Sequence, residues 1–241
     1  MYRGKKVSVV MPVYNEVENI RFAINSFLQQ PFVDEIIAVD NNSTDGSDEE
    51  IKKTNARYVL EKTQGYGAAL QRGMAEASGD LIVTVEPDGT FLAKDIEKLL
   101  IYSSDYEVVF GTRTSRALIW SGANMSFAIR LGNWAVAKFL EYLFNGPSLT
   151  DVGCTYKVMH KLAYEKIRHS FTVPGSWFSP EFMIRVLQNK ISCVEVPVHY
   201  CPRKGESKIT GKTSKAIKLG IKMIFFIIEQ RIFGGKYIKK I

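Results

Sequence analysis

Cysteine is scarce in this chain: three in 241 residues, an odd number that excludes a fully paired disulfide framework. Cys154, Cys193 and Cys201 have no metal-ligand spacing, and neither do His160, His169 and His199. The opening "MYRGKKVSVVMPVYNE" has a short apolar run and no small-residue cleavage site, so a reducing, cytoplasmic setting is expected. Long hydrophobic runs are missing too. Met223 to Ile228 lies between Lys222 and Glu229, far short of the roughly 20 apolar residues that span a bilayer. Glycine is missing where phosphate-binding loops need it. The turn after the first apolar run is "PVYNE", and "GYGAAL" (65–70) has two of the three fingerprint glycines but comes too late. "GKTS" (211–214) has Glu206 where a phosphate loop requires glycine. A dinucleotide fingerprint and a nucleotide P-loop are both excluded.

What is present is an ordinary globular composition, 46% hydrophobic and 24% charged. The net charge of +7 is uneven. From Arg203 onward eleven Lys and Arg face two acids, so the preceding body is slightly negative. Such asymmetry points to an anionic partner for the tail. No repeat or Gly/Pro linker divides the chain. It reads as one domain (1–210) and a basic C-terminal helix and tail (211–241).

The hydrophobic periodicity alternates between strand and helix. Strands are predicted at 6–13, 33–40, 80–86 and 106–111, with "ARYVLE" as a further one; helices at 15–30, where Asn15 would cap, and at 65–79, with another in "AKDIEKLLIYS". The second half predicts a long helix over 124–144, strands in "TDVGCTYKVMH" and "ISCVEVPVHY", and a helix in "SPEFMIRVLQNK". This alternation implies an α/β fold with a mostly parallel central sheet and helices on both faces. Ligands bind such sheets at the carboxyl ends of the strands. Those ends carry Pro12, Tyr14 and Glu16, then Asp40, Asn41 and Asn42, then Glu86 and Asp88. Turns are polar in any protein, but three acidic clusters on one edge favour a site. In "VTVEPDGTF" (83–91), two carboxylates one residue apart suit Mg²⁺ or Mn²⁺, which would hold a departing nucleoside diphosphate.

The ordered set "VSVVMPVYNEVENI", "VDNNSTDGS", "GYGAALQRGMAEASGDLIVTVEPDGTF" and "EVPVHYCPRKGESKIT" resembles inverting family 2 glycosyltransferases of the GT-A fold. The branch it is most similar to is the polyprenyl-phosphate, dolichol-phosphate mannose synthase-like one, over residues 6 to about 210. That resemblance implies a nucleoside pocket of Pro12, Tyr14, Glu16 and Asp40. It implies a metal site at Glu86 and Asp88, with Asp88 the leading ligand and Thr90 nearby. Arg113, Arg130, Asp151 and Lys157 match positions around an acceptor phosphate, and Arg203, Ser207 and Lys208 match a closing R-x-x-G-x-S-K segment. The chain departs from the family at Glu86 (usually Asp), Asn41 (often an acid), Thr155 (usually Gly) and Lys157 (usually Arg).

The implied partners are a UDP- or GDP-sugar donor and a polyprenyl phosphate acceptor. A lipid phosphate is already ionised near neutral pH and needs positioning by Arg113, Arg130, Lys157 and Arg203. A hydroxyl acceptor would need a general base, for which Glu181 is the candidate; otherwise Glu181 is an acid serving the helix dipole. A non-catalytic nucleotide-sugar-binding subunit is the third reading. Nucleic acid ranks last, because the tail has no aromatic interleaving. Lys215, Lys218 and Lys222 share one helical face beside a broad apolar one, which suits an anionic membrane interface; packing on protein is the alternative. Peripheral attachment to the cytoplasmic face of a membrane is therefore expected.

Overall fold

The computed structural model describes residues 1–203 and 213–234, with side chains described over 1–203 and 219–234. The strands are β1 (Val7–Val13), β2 (Glu35–Asp40), β3 (Arg57–Leu60), β4 (Leu81–Thr84), β5 (Val108–Thr112), β6 (Lys157–His160) and β7 (Cys193–Pro197). The α-helices are α1 (Ile20–Leu28), α2 (Ser47–Lys52), α3 (Tyr66–Glu76), α4 (Ile96–Tyr102), α5 (Phe127–Phe144), α6 (Lys161–Ile167), α7 (Phe178–Gln188) and α8 (Thr213–Phe233). The strands form a single sheet in the order β3-β2-β1-β4-β6-β5-β7.

Every residue of β1 is buried because helices cover both faces of the sheet. Side chains alternate across a strand. Val7, Val9, Met11 and Val13 therefore pack with Ile20, Ile24 and Phe27 of α1 and with Leu99 and Leu100 of α4. Val10 belongs to the opposite core, with Ala69, Leu70 and Met74 of α3 and Phe178 and Phe182 of α7. The glycines of "GYGAAL" serve this packing. A Cβ on Gly67 would lie 2.4 Å from the Val173 carbonyl oxygen, so only glycine lets the 173–175 segment lie against α3.

All pairings are parallel except those of β6, which runs antiparallel between β4 and β5. The strand expected in "TDVGCTYKVMH" shrinks to its last four residues. Thr150 already touches Thr112 and Thr114 at the end of β5, so the chain enters β6 from the carboxyl edge and must run away from it. One consequence matters for the site. Lys157, the first residue of β6, pairs with Thr84, the last of β4, and sits at the carboxyl edge.

Two helix starts differ from expectation. α1 begins at Ile20, with Asn19 rather than Asn15 at its cap position. Asn15 takes a left-handed φ of 55°, and its Oδ1 accepts from the Thr44 amide at 2.8 Å. α5 begins three residues late, where the Ser126 hydroxyl accepts from the Ile129 amide.

In α8, Met223, Ile227 and Gln230 are buried, and Gln230 accepts from Arg185 of α7 at 2.8 Å. The helix therefore packs on the domain while Ile221, Ile224, Phe225 and Ile232 face outward. The Lys222 ammonium lies over the Trp177 ring. The side chains of Lys215 and Lys218, and the segment bearing Ser207 and Lys208, lie outside the described residues. Among the described residues, no helix is long and apolar enough to cross a membrane.

Candidate active site

Parallel pairing brings the carboxyl ends of β1, β2 and β4 side by side, so Glu16, Asp40, Glu86 and Asp88 collect on one edge. Asp40 is buried; its Oδ1 accepts from the Ser43 amide at 3.1 Å, which shapes the turn after β2. Asn41, beside it, bonds the carbonyls of Glu61 and Thr63 and accepts from the Gly65 amide at 2.7 Å. An acid could not donate those first two bonds, which accounts for the amide at this position. Glu16 accepts from the Asn19 side chain at 2.9 Å. Pro12 is the last residue but one of β1, and Tyr14, just beyond the strand, is exposed.

Asp88 divides its two oxygens. Oδ1 accepts from the Thr90 amide and hydroxyl, at 3.0 and 2.6 Å, while Oδ2 accepts from Arg203 at 2.9 Å. The Thr90 hydroxyl is thereby committed to orienting Asp88. The same Arg203 guanidinium donates to Glu16, so one cation bridges acids from the ends of two strands. The segment carrying Arg203 is tied down by the Cys201 amide on the Thr90 carbonyl and by His199 on Asp95.

Glu86 accepts from the Thr155 hydroxyl at 2.8 Å, and Thr155 is in turn 2.5 Å from the Tyr66 hydroxyl. Burial, then the charge of Asp88, pushes the Glu86 carboxyl up to about 7. Asp88, buried, and Glu86, partly buried, together favour a cation, and Arg203 supplies one to Asp88. The oxygen donor set fits Mg²⁺ or Mn²⁺, bound by one or two carboxylates with diphosphate oxygens completing the sphere. Among the described residues, no cluster of three or more His, Cys, Asp and Glu could hold a metal alone.

On the other side of the acids, Arg113 follows β5. Its Nε and Nη2 donate to Asp151 at 2.8 and 2.9 Å, and it lies over the Tyr200 ring. Burial works against this guanidinium, but the charge and hydrogen bonds of Asp151 hold it well above its usual range. Burial likewise opposes the Asp151 charge, yet Arg113 keeps its carboxyl below the ordinary value. Lys157 is buried beneath, donating to the Cys154 carbonyl and to Ser179, and burial lowers its ammonium to about 8. Arg130 occupies the first turn of α5, half-exposed and stacked over Phe127.

Glu181 sits in a hydrogen-bond network of its own. It is fully buried; Oε1 accepts from the Thr172 amide and hydroxyl and from Arg185, and Oε2 from the Val173 amide. It ties the 172–173 segment to α7 and presents no exposed oxygen to a substrate. Sequence reasoning missed the Tyr66–Thr155 support of Glu86 and the Asp95–His199 tether. Both need β6 or the 198–203 segment beside a strand distant in sequence, so neither leaves a local signal. Asn19, three residues after Glu16, was the one partner that local spacing could have found.

Three comparisons bear on this geometry. The model of the "Glycosyl transferase family 2" family matches residues 8–168. A dolichyl-phosphate hexose transferase of Haloferax volcanii is 28% identical over 239 residues, covering 96% of this chain and 98% of that one. An undecaprenyl-phosphate 4-deoxy-4-formamido-L-arabinose transferase of Yersinia enterocolitica is 29% identical, covering 85% of this chain and 62% of that protein. Among solved structures, glucosyl-3-phosphoglycerate synthase from Mycobacterium tuberculosis, with Mn²⁺, UDP and glucosyl-3-phosphoglycerate, superposes with a TM-score of 0.71 at 19% identity, covering 95% of this chain and 80% of that one. A second structure of that enzyme, with Mg²⁺ and UDP, gives 0.69 at 19% identity, over 95% and 79%. The sheet order, the acid pair after β4 and the matched span agree: the chain is a glycosyltransferase of the GT-A fold and belongs to glycosyl transferase family 2.

Proposed function

We propose that the chain transfers a sugar from a nucleoside-diphosphate sugar to a polyprenyl phosphate with inversion at the anomeric carbon. The observation that carries this reading is a fixed cation together with a candidate base that is already committed elsewhere. Arg113 is locked by Asp151 beside the acid pair, while Glu181, the candidate base, has its oxygens spent on Thr172, Val173 and Arg185. An ionised phosphate oxygen needs positioning rather than deprotonation. It attacks the anomeric carbon opposite the diphosphate; one C–O bond forms, the other breaks, and the nucleoside diphosphate leaves with the electron pair. Glu16 and Asp40 receive the nucleoside, and Asp88, with Glu86 and Thr90, receives the diphosphate end of the donor. Arg113 and Arg130 receive the acceptor phosphate, and Lys157 adds positive charge beneath them. Mg²⁺ or Mn²⁺, when bound at Asp88, would neutralise charge on the departing diphosphate. The dolichyl-phosphate and undecaprenyl-phosphate transferases among the relatives support the acceptor class.

The acceptor's chain resides in a bilayer, and the surface accommodates that. Trp120, Phe127, Leu131 and Trp134 are exposed on and before α5, and Ile221, Ile224 and Phe225 on α8, which packs against α5. Aromatic and aliphatic side chains with Arg116 and Arg130 among them, on a chain whose C-terminal sequence is basic, suit peripheral attachment to an anionic, cytoplasmic membrane face.

The test is nucleoside-diphosphate release from UDP- and GDP-sugars with Mn²⁺, with short polyprenyl phosphate or the matching free polyprenol. Release only with the phosphate supports the reading. Equal release with the alcohol, or release abolished selectively by Glu181→Gln, overturns it in favour of a hydroxyl acceptor.

A further inference from the structure

Glu195 lies outside the acid cluster, on β7, one strand beyond β5. Its Oε2 accepts from the Thr150 amide at 2.8 Å and from the Thr150 hydroxyl at 2.5 Å, and its Oε1 from the Asp151 amide at 2.9 Å. Both residues lead to Arg113. Asp151 accepts from the Arg113 amide, Nε and Nη2 at 3.0, 2.8 and 2.9 Å. Thr150 meets Thr112 at 2.9 Å and Thr114 at 2.7 Å, and those two, 2.8 Å apart, flank Arg113 in the chain.

Each hydroxyl has one proton, and a carboxylate only accepts. The Thr150 proton is committed to Glu195, so Thr150 can only accept from the other two. The Thr112 and Thr114 protons can therefore go only to each other or to Thr150, and the Glu195 charge fixes where the Thr150 proton goes. The Thr114 amide, donating to the Thr112 hydroxyl at 3.2 Å, closes the chain against the backbone. One carboxylate thus fixes the residue before Arg113, the residue after it, and the acid that grips its guanidinium.

The geometry points to Glu195 as a positioning residue for Arg113: through Thr150 and Asp151 it holds the guanidinium in the orientation that receives the acceptor phosphate. This inference rests on the reading of Arg113 as an acceptor-phosphate contact. Glu195 touches no substrate itself. A glutamine in its place could accept only one of the two amide protons well and would turn an N–H₂ group toward the other donor.

The experiment measures binding rather than turnover. Dissociation constants are determined for short polyprenyl phosphate in detergent and, separately, for UDP and GDP with Mn²⁺. Wild type is compared with Glu195→Gln, Thr150→Val, Thr150→Ser and Arg113→Ala. In parallel, NMR follows exchange of the Arg113 Nε–H proton with water. Glu195→Gln is expected to weaken polyprenyl phosphate binding about tenfold, the scale seen when a partner orienting a ligating group is removed. Nucleotide binding should stay within about twofold, and Nε–H exchange should speed up at least about tenfold on the same scale. Thr150→Val, which keeps the carboxylate, should reproduce part of both effects, and Thr150→Ser should restore wild-type behaviour.

If Arg113→Ala weakens polyprenyl phosphate binding but Glu195→Gln and Thr150→Val change neither that binding nor the Nε–H exchange, the positioning role is overturned and the reading of Arg113 stands. If Arg113→Ala leaves polyprenyl phosphate binding unchanged, the reading of Arg113 falls and the inference falls with it. Equal weakening of nucleotide and polyprenyl phosphate in Glu195→Gln marks a general structural role and also overturns it.

Discussion

Arg203 donates to Asp88 through Nη1 at 2.9 Å and to Glu16 through Nη2, so the carboxylates at the ends of β4 and β1 share one guanidinium. Both acids are buried or nearly so. Their charges need a partner, and in this arrangement the chain supplies its own. A divalent ion held at Asp88 would compete with Arg203 for that carboxylate, and the guanidinium would then be available to the donor's diphosphate.

Arg203→Ala removes that competing cation. Mn²⁺ binding without nucleotide should tighten about tenfold, equivalent to ~1.4 kcal/mol, while turnover with donor and acceptor falls about a hundredfold through lost charge stabilisation. Titration of free Mn²⁺ by electron paramagnetic resonance, beside steady-state rates, checks both halves. Unchanged or weaker Mn²⁺ binding would show that Arg203 does not compete for the metal position.

Glu181→Gln should be a stability variant. Glu181 and Arg185 are a fully buried pair, and removing one partner's charge costs about 3–5 kcal/mol. Thermal unfolding should shift down sharply, while transfer to lipid phosphate per folded molecule changes less than about threefold, since nothing specific to the transition state is lost. An unshifted melting temperature with a collapsed rate would restore Glu181 as a base.

Lys157 gives a pH signature. Burial lowers its ammonium to about 8, against about 10.4 in an unfolded chain. Between those values the unfolded chain keeps a proton the folded chain has shed, so this group's contribution to stability rises with pH; below about 8 the penalty is present in full. The Cys154 thiol, pushed up to about 12 by burial, works the other way above its ordinary value near 9, so pH 8 to 9 is the clean window. There the stability difference between wild type and Lys157→Met should move in favour of wild type by up to about 1.4 kcal/mol per pH unit. Denaturant titrations at several pH values test it, and a flat difference would mean that Lys157 stays protonated.

The apolar faces of α5 and α8 predict vesicle binding. Phe127 and Phe225 are 71% and 69% exposed, a costly display unless something apolar covers it. Replacing Trp134 and Phe225 together by Ser should weaken binding to vesicles with anionic lipid at least about tenfold, since each buried aromatic is worth roughly 1.5–3 kcal/mol. Flotation assays would reveal it. Unaltered binding would assign attachment to the basic segment alone.

The sequence was informative where chemistry is local. The strands 6–13, 33–40 and 106–111 are predicted to within about two residues because continuous apolar runs leave few alternatives. Glu16, Asp40, Glu86 and Asp88 stand at strand ends that parallel pairing must align, so their meeting on one edge was legible before any coordinates. Other features depended on topology. The antiparallel course of β6 decides that Thr155 supports Glu86 and that Lys157 sits under the site, and nothing in "TDVGCTYKVMH" encodes strand direction. Asn15 suits a helix cap by residue type, yet its side chain goes to Thr44, because the turn after β2 lies against it. Glu181 at a helix start fits either a base or a structural acid. Its bonds to the Thr172 and Val173 amides depend on a segment that the local pattern does not bring to this helix.

The most direct test of the whole account is the mass spectrum of polyprenyl phosphate after incubation with the protein, a panel of UDP- and GDP-sugars, and Mn²⁺. The lipid phosphate is expected to gain one sugar with one donor class, chelation of the metal to prevent it, and Asp88→Asn to reduce it at least about a hundredfold. Unmodified lipid with every donor, despite confirmed nucleotide binding, would contradict it.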